Sequence, residues 1–329
     1  MLDVPLAVLE GEAGQAGVPS GAATVLAPSV AADLLSVGFA VRLRGGPSVD
    51  DWEAKLASYG ADYMSVAAAD IQRRVVGDLI VVQQQVDDPR MWSVTARLMT
   101  LYATTFPRAE AAKAVTWFRT AAEAADRSGD RVVRVWVRGR AALSLGYGGT
   151  SLGLAEMLAD QAVAISDKPS MGLLGATLGK AYAAAIRGDK ATALRLAEHG
   201  RRVFDASGPG GPVGTAGTAG SGGPAGSGAA AERVSDYVIP AWRMNGFLSL
   251  LSARVGDETG ALRAHEEARR ELPERLPRFA AHLEMHKGLM LTRAGDKAGG
   301  LAHARATLEA LPVEKQCSTL HMLMDEIRA

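Results

Sequence analysis

The sequence predicts an all-α protein: a superhelix built as a solenoid of helical hairpins. Three observations predict it. The chain is rich in helix formers, above all alanine, and shows no sustained two-residue alternation of the kind a strand needs. Three similar turn segments recur, RGDKATAL at Arg187–Leu194, VGDETGAL at Val255–Leu262 and AGDKAGGL at Ala294–Leu301. Each fits a helix that ends on glycine and a new helix capped by aspartate. With the related turn GYGGTSLGLAE (Gly146–Glu156), they align Gly149, Gly188, Gly256 and Gly295 at spacings of 39, 68 and 39 residues. A period near 39 suits a helical-hairpin repeat.

The elements follow in order. Residues 1–28 read as a linker. Helices are predicted over Ser29–Leu43, Asp50–Ser58 and Ser65–Gln85. Hairpins come next: Arg90–Phe106 with Ala109–Ser128, Arg131–Tyr147 with Ser151–Ile165, and Met171–Arg187 with Lys190–Phe204. Asp88-Pro89 and Ser128-Gly129-Asp130 supply start and stop signals. The short runs Val75-Val76, Leu79–Val82 and Val132-Val133 lie among helix formers and read as helix. Ser207–Ala230 holds 10 of the 37 glycines and no charge or aromatic, so a flexible insertion is expected there. With its flanks it is close to the excess of the long middle spacing, which exceeds 39 by 29. Beyond it, Ile239–Val255 pairs with Glu258–Leu272 and Arg278–Ala294 with Lys297–Leu311, and a helix at Val313–Arg328 closes the array. The chain thus divides into a linker at 1–28, the first part of the solenoid at 29–206, the insertion at 207–230 and the rest of the solenoid at 231–329.

Seven residues before the turn glycines stand Ala142, Ala181, Ser249 and Gly288, all small enough for a close helix crossing. Ala193 and Ala261 lie five residues after their glycines, and Pro273 and Pro312 lie 17 after the last two, where proline ends a helix. Small residue, turn glycine, small residue and closing proline together resemble the tetratricopeptide repeat (TPR) signature. The period is longer than the usual 34 or so, and the Trp, Leu and Tyr of the first helix are mostly replaced. The resemblance implies a TPR-like α-α superhelix whose first helices line a concave groove. Projected from the turn glycines, Trp136, Tyr182, Arg243 and His282 occupy inner positions, with Arg140, Asn245 and Met285 close by. Arg131, Arg134 and Arg138 share a helix face, and Arg138 is a candidate ligand contact on that stripe.

Charge and motif searches narrow the function. The 36 basic and 36 acidic side chains give zero net charge, unlike the basic excess of a dedicated nucleic-acid binder. One cysteine, Cys317, excludes a disulfide framework. The start MLDVPLAVLEGE lacks a basic n-region, so no secretory signal is expected. No apolar run reaches membrane-spanning length; Ala27–Val41 is interrupted by Asp33. A cytoplasmic protein is expected. Gly175–Ala181 is one residue short of a P-loop, lacks its hydroxyl and falls mid-helix. No G-x-S-x-G elbow occurs. His282 and His286 share a helix face, as do Cys317 and His321, but the order is not HExxH and no third ligand is indicated. No cofactor, metal or enzyme activity is expected.

Longer stretches carry a second resemblance. GPSVDDWEAKLASYGADYMS (Gly46–Ser65), IQRRVVGDLIVVQQQ (Ile71–Gln85) and DDPRMWSVTARLMTLYATTFP (Asp87–Pro107) are similar to TPR-bearing helix-turn-helix regulators of the xenobiotic-response-element (XRE) type, chiefly actinobacterial. AVTWFRTAAEAADRSGD (Ala114–Asp130), RVWVRGRAALSLGY (Arg134–Tyr147) and SDKPSMGLLGATLGKAYAAA (Ser166–Ala185) continue it. The first twelve residues resemble only the last turn of the DNA-binding domain that the family places ahead of this region. The resemblance implies a sensor half whose reader is missing or lies upstream of a late-assigned start, so direct DNA binding by this chain is doubtful. It implies a non-catalytic sensing module of a transcriptional regulator that binds a peptide, protein segment or small signal in its groove. A homodimer or a DNA-binding partner would transmit the output. The alternatives are a scaffold without effector and a metal-dependent helical enzyme using His282 and His286.

Overall fold

The computed structural model describes residues 28–207 and 235–329; the Gly-rich insertion and the first linker lie outside the described residues. Among the described residues the chain forms fourteen α-helices and no strand. The first three are α1 (Pro28–Arg44), α2 (Val49–Asp62) and α3 (Ala68–Val82). Five helical hairpins follow: α4 (Pro89–Thr104) with α5 (Ala111–Ser128), α6 (Arg131–Gly148) with α7 (Leu152–Ile165), α8 (Met171–Ile186) with α9 (Lys190–Ser207), α10 (Ala241–Arg254) with α11 (Glu258–Glu271), and α12 (Pro277–Arg293) with α13 (Lys297–Ala310). The last helix, α14 (Ser318–Arg328), packs on α12 and α13.

The repeated turns have one geometry. Gly188, Gly256 and Gly295 take φ of +81°, +64° and +104°. Each is followed by an aspartate whose backbone N–H bonds back to a carbonyl five residues earlier: Asp189 to Ala184, Asp257 to Ser252 and Asp296 to Leu291. That bond closes a Schellman turn, which needs a left-handed residue and therefore favours glycine. The same aspartates then cap the next helix, accepting from Thr192, Gly260 and Gly299 N–H. One Gly-Asp pair thus stops a helix and starts its partner.

First helices stack on first helices: α4 on α6, α6 on α8, α8 on α10 and α10 on α12. The tightest crossing is α6 on α8. Added Cβ atoms at Gly139, Gly172 and Gly179 would collide with backbone atoms of the facing helix. Fourteen of the 16 residues of α8 are buried, which makes it the centre of the stack. The main apolar core runs through it, from Phe118 on α5 to Ile327 on α14.

The array curls until its ends touch. Met64, just past α2, packs with Trp242 of α10 and Leu276 ahead of α12. Arg278 of α12 donates to the backbone carbonyls of Tyr63 and Val66. Near this seam Asp236, with its side chain 3 % exposed, bonds both Arg140 and Arg243. Its own backbone N–H donates to Gly60 at 2.8 Å, which fixes it on α2.

Several boundaries shift by a few residues from expectation, and two of the differences have a clear local cause. The helix expected from Ser65 begins at Ala68, after a turn over Met64–Val66 bonded to the end of α2. The closing helix expected over Val313–Arg328 splits into a 3-10 turn at Val313–Lys315 and α14, with Gln316 and Cys317 extended between them. The Gln316 amide donates to the carbonyls of Leu308 and Leu311 at the end of α13. These bonds satisfy helix-terminal acceptors and hold the chain out of helical geometry at that point.

Candidate functional site

A cavity of about 610 Å³ lies where the first helices face the seam. Its apolar wall includes aromatic side chains from several elements: Tyr63 after α2, Phe106 after α4, Tyr147 on α6, Phe247 on α10 and Phe279 on α12. Such a volume is in the range of small-molecule and short-peptide sites. The packing of neighbouring hairpins sets the wall, since residues of several hairpins line it together.

Three of the groove residues expected from sequence border the cavity: Arg140, Arg243 and His282. Arg140 and Arg243 are both committed to Asp236, at 3.1 and 2.7 Å. The carboxylate's burial works against its charge, but the two guanidiniums hold its pKa below the usual value. The cluster is therefore an internal brace in which one carboxylate offsets one of two guanidinium charges.

The other five candidates do not line the cavity. Trp136 is buried in the core and stacks at 5.2 Å on Tyr237. Tyr182 is buried, and its hydroxyl donates to the Phe247 carbonyl at 2.7 Å. Met285 is fully buried, and Asn245 is buried with an Oδ1 that has no hydrogen-bond partner. Arg138 is buried and bonded to Asp126 at 2.6 Å and Gln161 at 3.0 Å. Its neighbour Arg134 shares Asp126, and Arg131 donates to the Ile165 carbonyl. The arginine stripe is thus the glue between α5, α6 and α7.

The cavity has polar groups that the projection from the turns did not single out. Arg278 has backbone carbonyls and the Phe279 ring as its partners, and no carboxylate pairs with it among the described residues. It is a buried-side cation open to an anionic ligand group. The Cys317 Sγ lies 3.4 Å from His282 Nε2. Burial pushes the thiol pKa up. The charge and hydrogen bond of His282, the Leu320 N–H and the Arg278 cation pull it down further, to about 6. His286, one turn along from His282, is buried and held neutral: burial lowers its pKa well below the usual value. Its Nε2 is 3.5 Å from the Tyr147 hydroxyl, and its Nδ1 has no partner.

Sequence reading paired Cys317 with His321, but His321 is exposed and the thiol's partner is His282, 35 residues earlier. Among the described residues no three His, Cys, Asp or Glu side chains converge as a metal site requires. No described helix is long and apolar enough to cross a membrane. No family model, curated protein or solved structure matches the chain.

Proposed function

We propose that the chain is a non-catalytic, TPR-like sensing module of a bacterial transcriptional regulator, which binds a short peptide or small amphipathic anion in the cavity of its curled array. The observation that supports this reading is the pairing of an aromatic wall with Arg278, a cation without a carboxylate partner among the described residues. Aromatic faces take up the apolar body of a ligand. A guanidinium fits a carboxylate by two parallel hydrogen bonds. Because the turn after α2, α6, α10 and α12 all reach the cavity, a bound ligand would bridge the two ends of the array and change its curvature. In the resembling regulators this sensing half works with a DNA-binding half, and the output proposed for this chain is the same, through a dimer or a DNA-binding partner.

Thermal shift of the purified chain against a panel of short peptides and aromatic carboxylates tests the reading. A ligand at a hundred times its Kd adds about 2.7 kcal/mol of stability. Arg278→Gln is expected to lose that response, while exposed Arg119→Ala keeps it. Hits that stabilise Arg278→Gln as much as the parent chain would place binding elsewhere and end the proposal.

A further inference from the structure

We propose that Cys317 and His282 form a covalent capture site in this cavity, at which the thiolate adds to a conjugated, aromatic-bodied electrophile of the α,β-unsaturated carbonyl class. The proposal deepens the ligand-site reading above and rests on it.

Four observations carry it. The sulfur sits 3.4 Å from the ring nitrogen of His282 and both side chains border the cavity. The His282 ring is held by Phe279, whose ring lies 5.9 Å away at 30°. Cys317 is the residue immediately before α14, an eleven-residue helix, so the first N–H groups of that helix favour a negative sulfur. Beside the pair stands His286, 3 % exposed, which borders the cavity and carries a buried Nδ1 that has no hydrogen-bond partner.

The chemistry balances without an outside oxidant. The proton of the Cys317 thiol passes to His282 Nε2. The sulfur then attacks the β-carbon of the conjugated system and forms a C–S bond, while the C=C π pair moves onto the carbonyl as an enolate. His282 returns the proton to the enolate, leaving a saturated thioether and a neutral imidazole. Nothing leaves, and the net change is addition of S–H across a double bond. A redox switch fits less well. Cys317 is the chain's one cysteine, so a sulfenic acid would have no second thiol within the chain to resolve it. The aromatic wall favours a flat π-system over a peroxide.

The ionisable groups around the sulfur come from three elements. His282, Arg278 and His286 lie on α12, Tyr147 on α6, and Glu314 and Lys315 on the turn before Cys317. The lowered thiol pKa agrees with this surround.

The test is the rate of alkylation, followed by intact mass, with N-ethylmaleimide and N-phenylmaleimide as probes and glutathione as the reference thiol. Between pH 6.0 and 7.5 an ordinary thiol gains about 30-fold in rate, while a thiol titrating near 6 gains only about 2-fold. The shallow profile is expected for the full chain, together with a preference for the phenyl probe over the ethyl one, relative to glutathione, of about 5-fold or more. His282→Gln is expected to restore the steep profile while its melting curve stays within a few degrees of the parent. His282→Ala serves as a second variant should the glutamine perturb folding. A steep profile in the parent chain, or an unchanged profile in both His282 variants, overturns the proposal and leaves the ligand-site reading to its own thermal-shift test. A shallow profile without phenyl preference overturns cavity-directed capture and counts against the ligand site as well. Selective oxidation by hydrogen peroxide at rates above maleimide addition would replace it with peroxide sensing.

Discussion

Asp236 holds two arginines with one carboxylate, and all three side chains are nearly out of water. Removing the carboxylate would leave two guanidiniums facing each other in low dielectric. Asp236→Asn is expected to cost about 3–5 kcal/mol, because breaking a buried pair strands its partners; a urea titration measures it. The pH dependence follows from the sign of the shift. The folded pKa of Asp236 lies below the unfolded one, so its contribution is complete above the unfolded value and is lost as pH falls through the folded value. Melts from pH 6 down to pH 2 should therefore show a steeper acid loss for the parent than for Asp236→Asn; parallel curves would refute this. Arg138 is a second case where the residue's surroundings redefine it. The helical spacing of Arg131, Arg134 and Arg138 placed them on one face, but spacing cannot tell a solvated face from one covered by a neighbouring hairpin. Since Arg138 is buried against Asp126, Arg138→Glu would set two carboxylates together. It is expected to lower stability by about 1–3 kcal/mol and to leave the affinity of any cavity ligand unchanged in the folded fraction, as calorimetry would show.

Helix boundaries were largely legible in the sequence because stop and start signals are local. The Gly-Asp turns give bonds within six residues, and the residues that make them are adjacent in the chain. What the helices do to one another was less legible. Gly175 and Gly179 drew notice only as a failed P-loop, and Gly139 and Gly172 drew none. In the structure they are the close crossing of α6 and α8. A glycine that serves as a turn and a glycine that serves as a contact look the same until the facing helix is known. A contact glycine and a glycine at an open helix position respond oppositely to alanine. Gly172→Ala would press a methyl against the Val135–Trp136 backbone and should destabilise by about 1–3 kcal/mol. Gly77→Ala, at an exposed position of α3 where nothing lies within 4 Å of the added carbon, should stabilise by about 0.5–1 kcal/mol. Equal effects at both sites, read from thermal melts, would remove the crossing from the account.

Helical-hairpin arrays owe their stability to contacts between neighbours, and their ends are ordinarily the first parts to loosen. Here the ends are joined. Met64, Trp242 and Leu276 form one apolar cluster, and Arg278 ties α12 to the turn after α2 across more than 200 residues of chain. No periodicity encodes a contact of that range, which is why the repeat predicted an open groove and the structure has a cavity at the seam. The Cys317–His282 pair escaped for the same reason: α14 folds back on α12, and neither residue's own helix indicates the other. The seam makes the cavity a property of the whole molecule, and one truncation separates the two. Trp242 is 6 % exposed, and Trp242→Ala should cost about 3–5 kcal/mol if the cavity left behind does not collapse. The loss should be local. Hydrogen exchange is expected to quicken at the end of α2, the start of α3 and the first turns of α12, where the cluster and the Arg278 bonds sit, while α8 keeps the slowest amides because its surroundings are unchanged. The same variant should lose the ligand-induced thermal shift, since its aromatic wall depends on both ends being held together. Faster exchange spread evenly through α8 would mean that the array unfolds as one unit and that closure is not a separable step. Retained ligand response with an open seam would mean that α6 and α10 alone form the site.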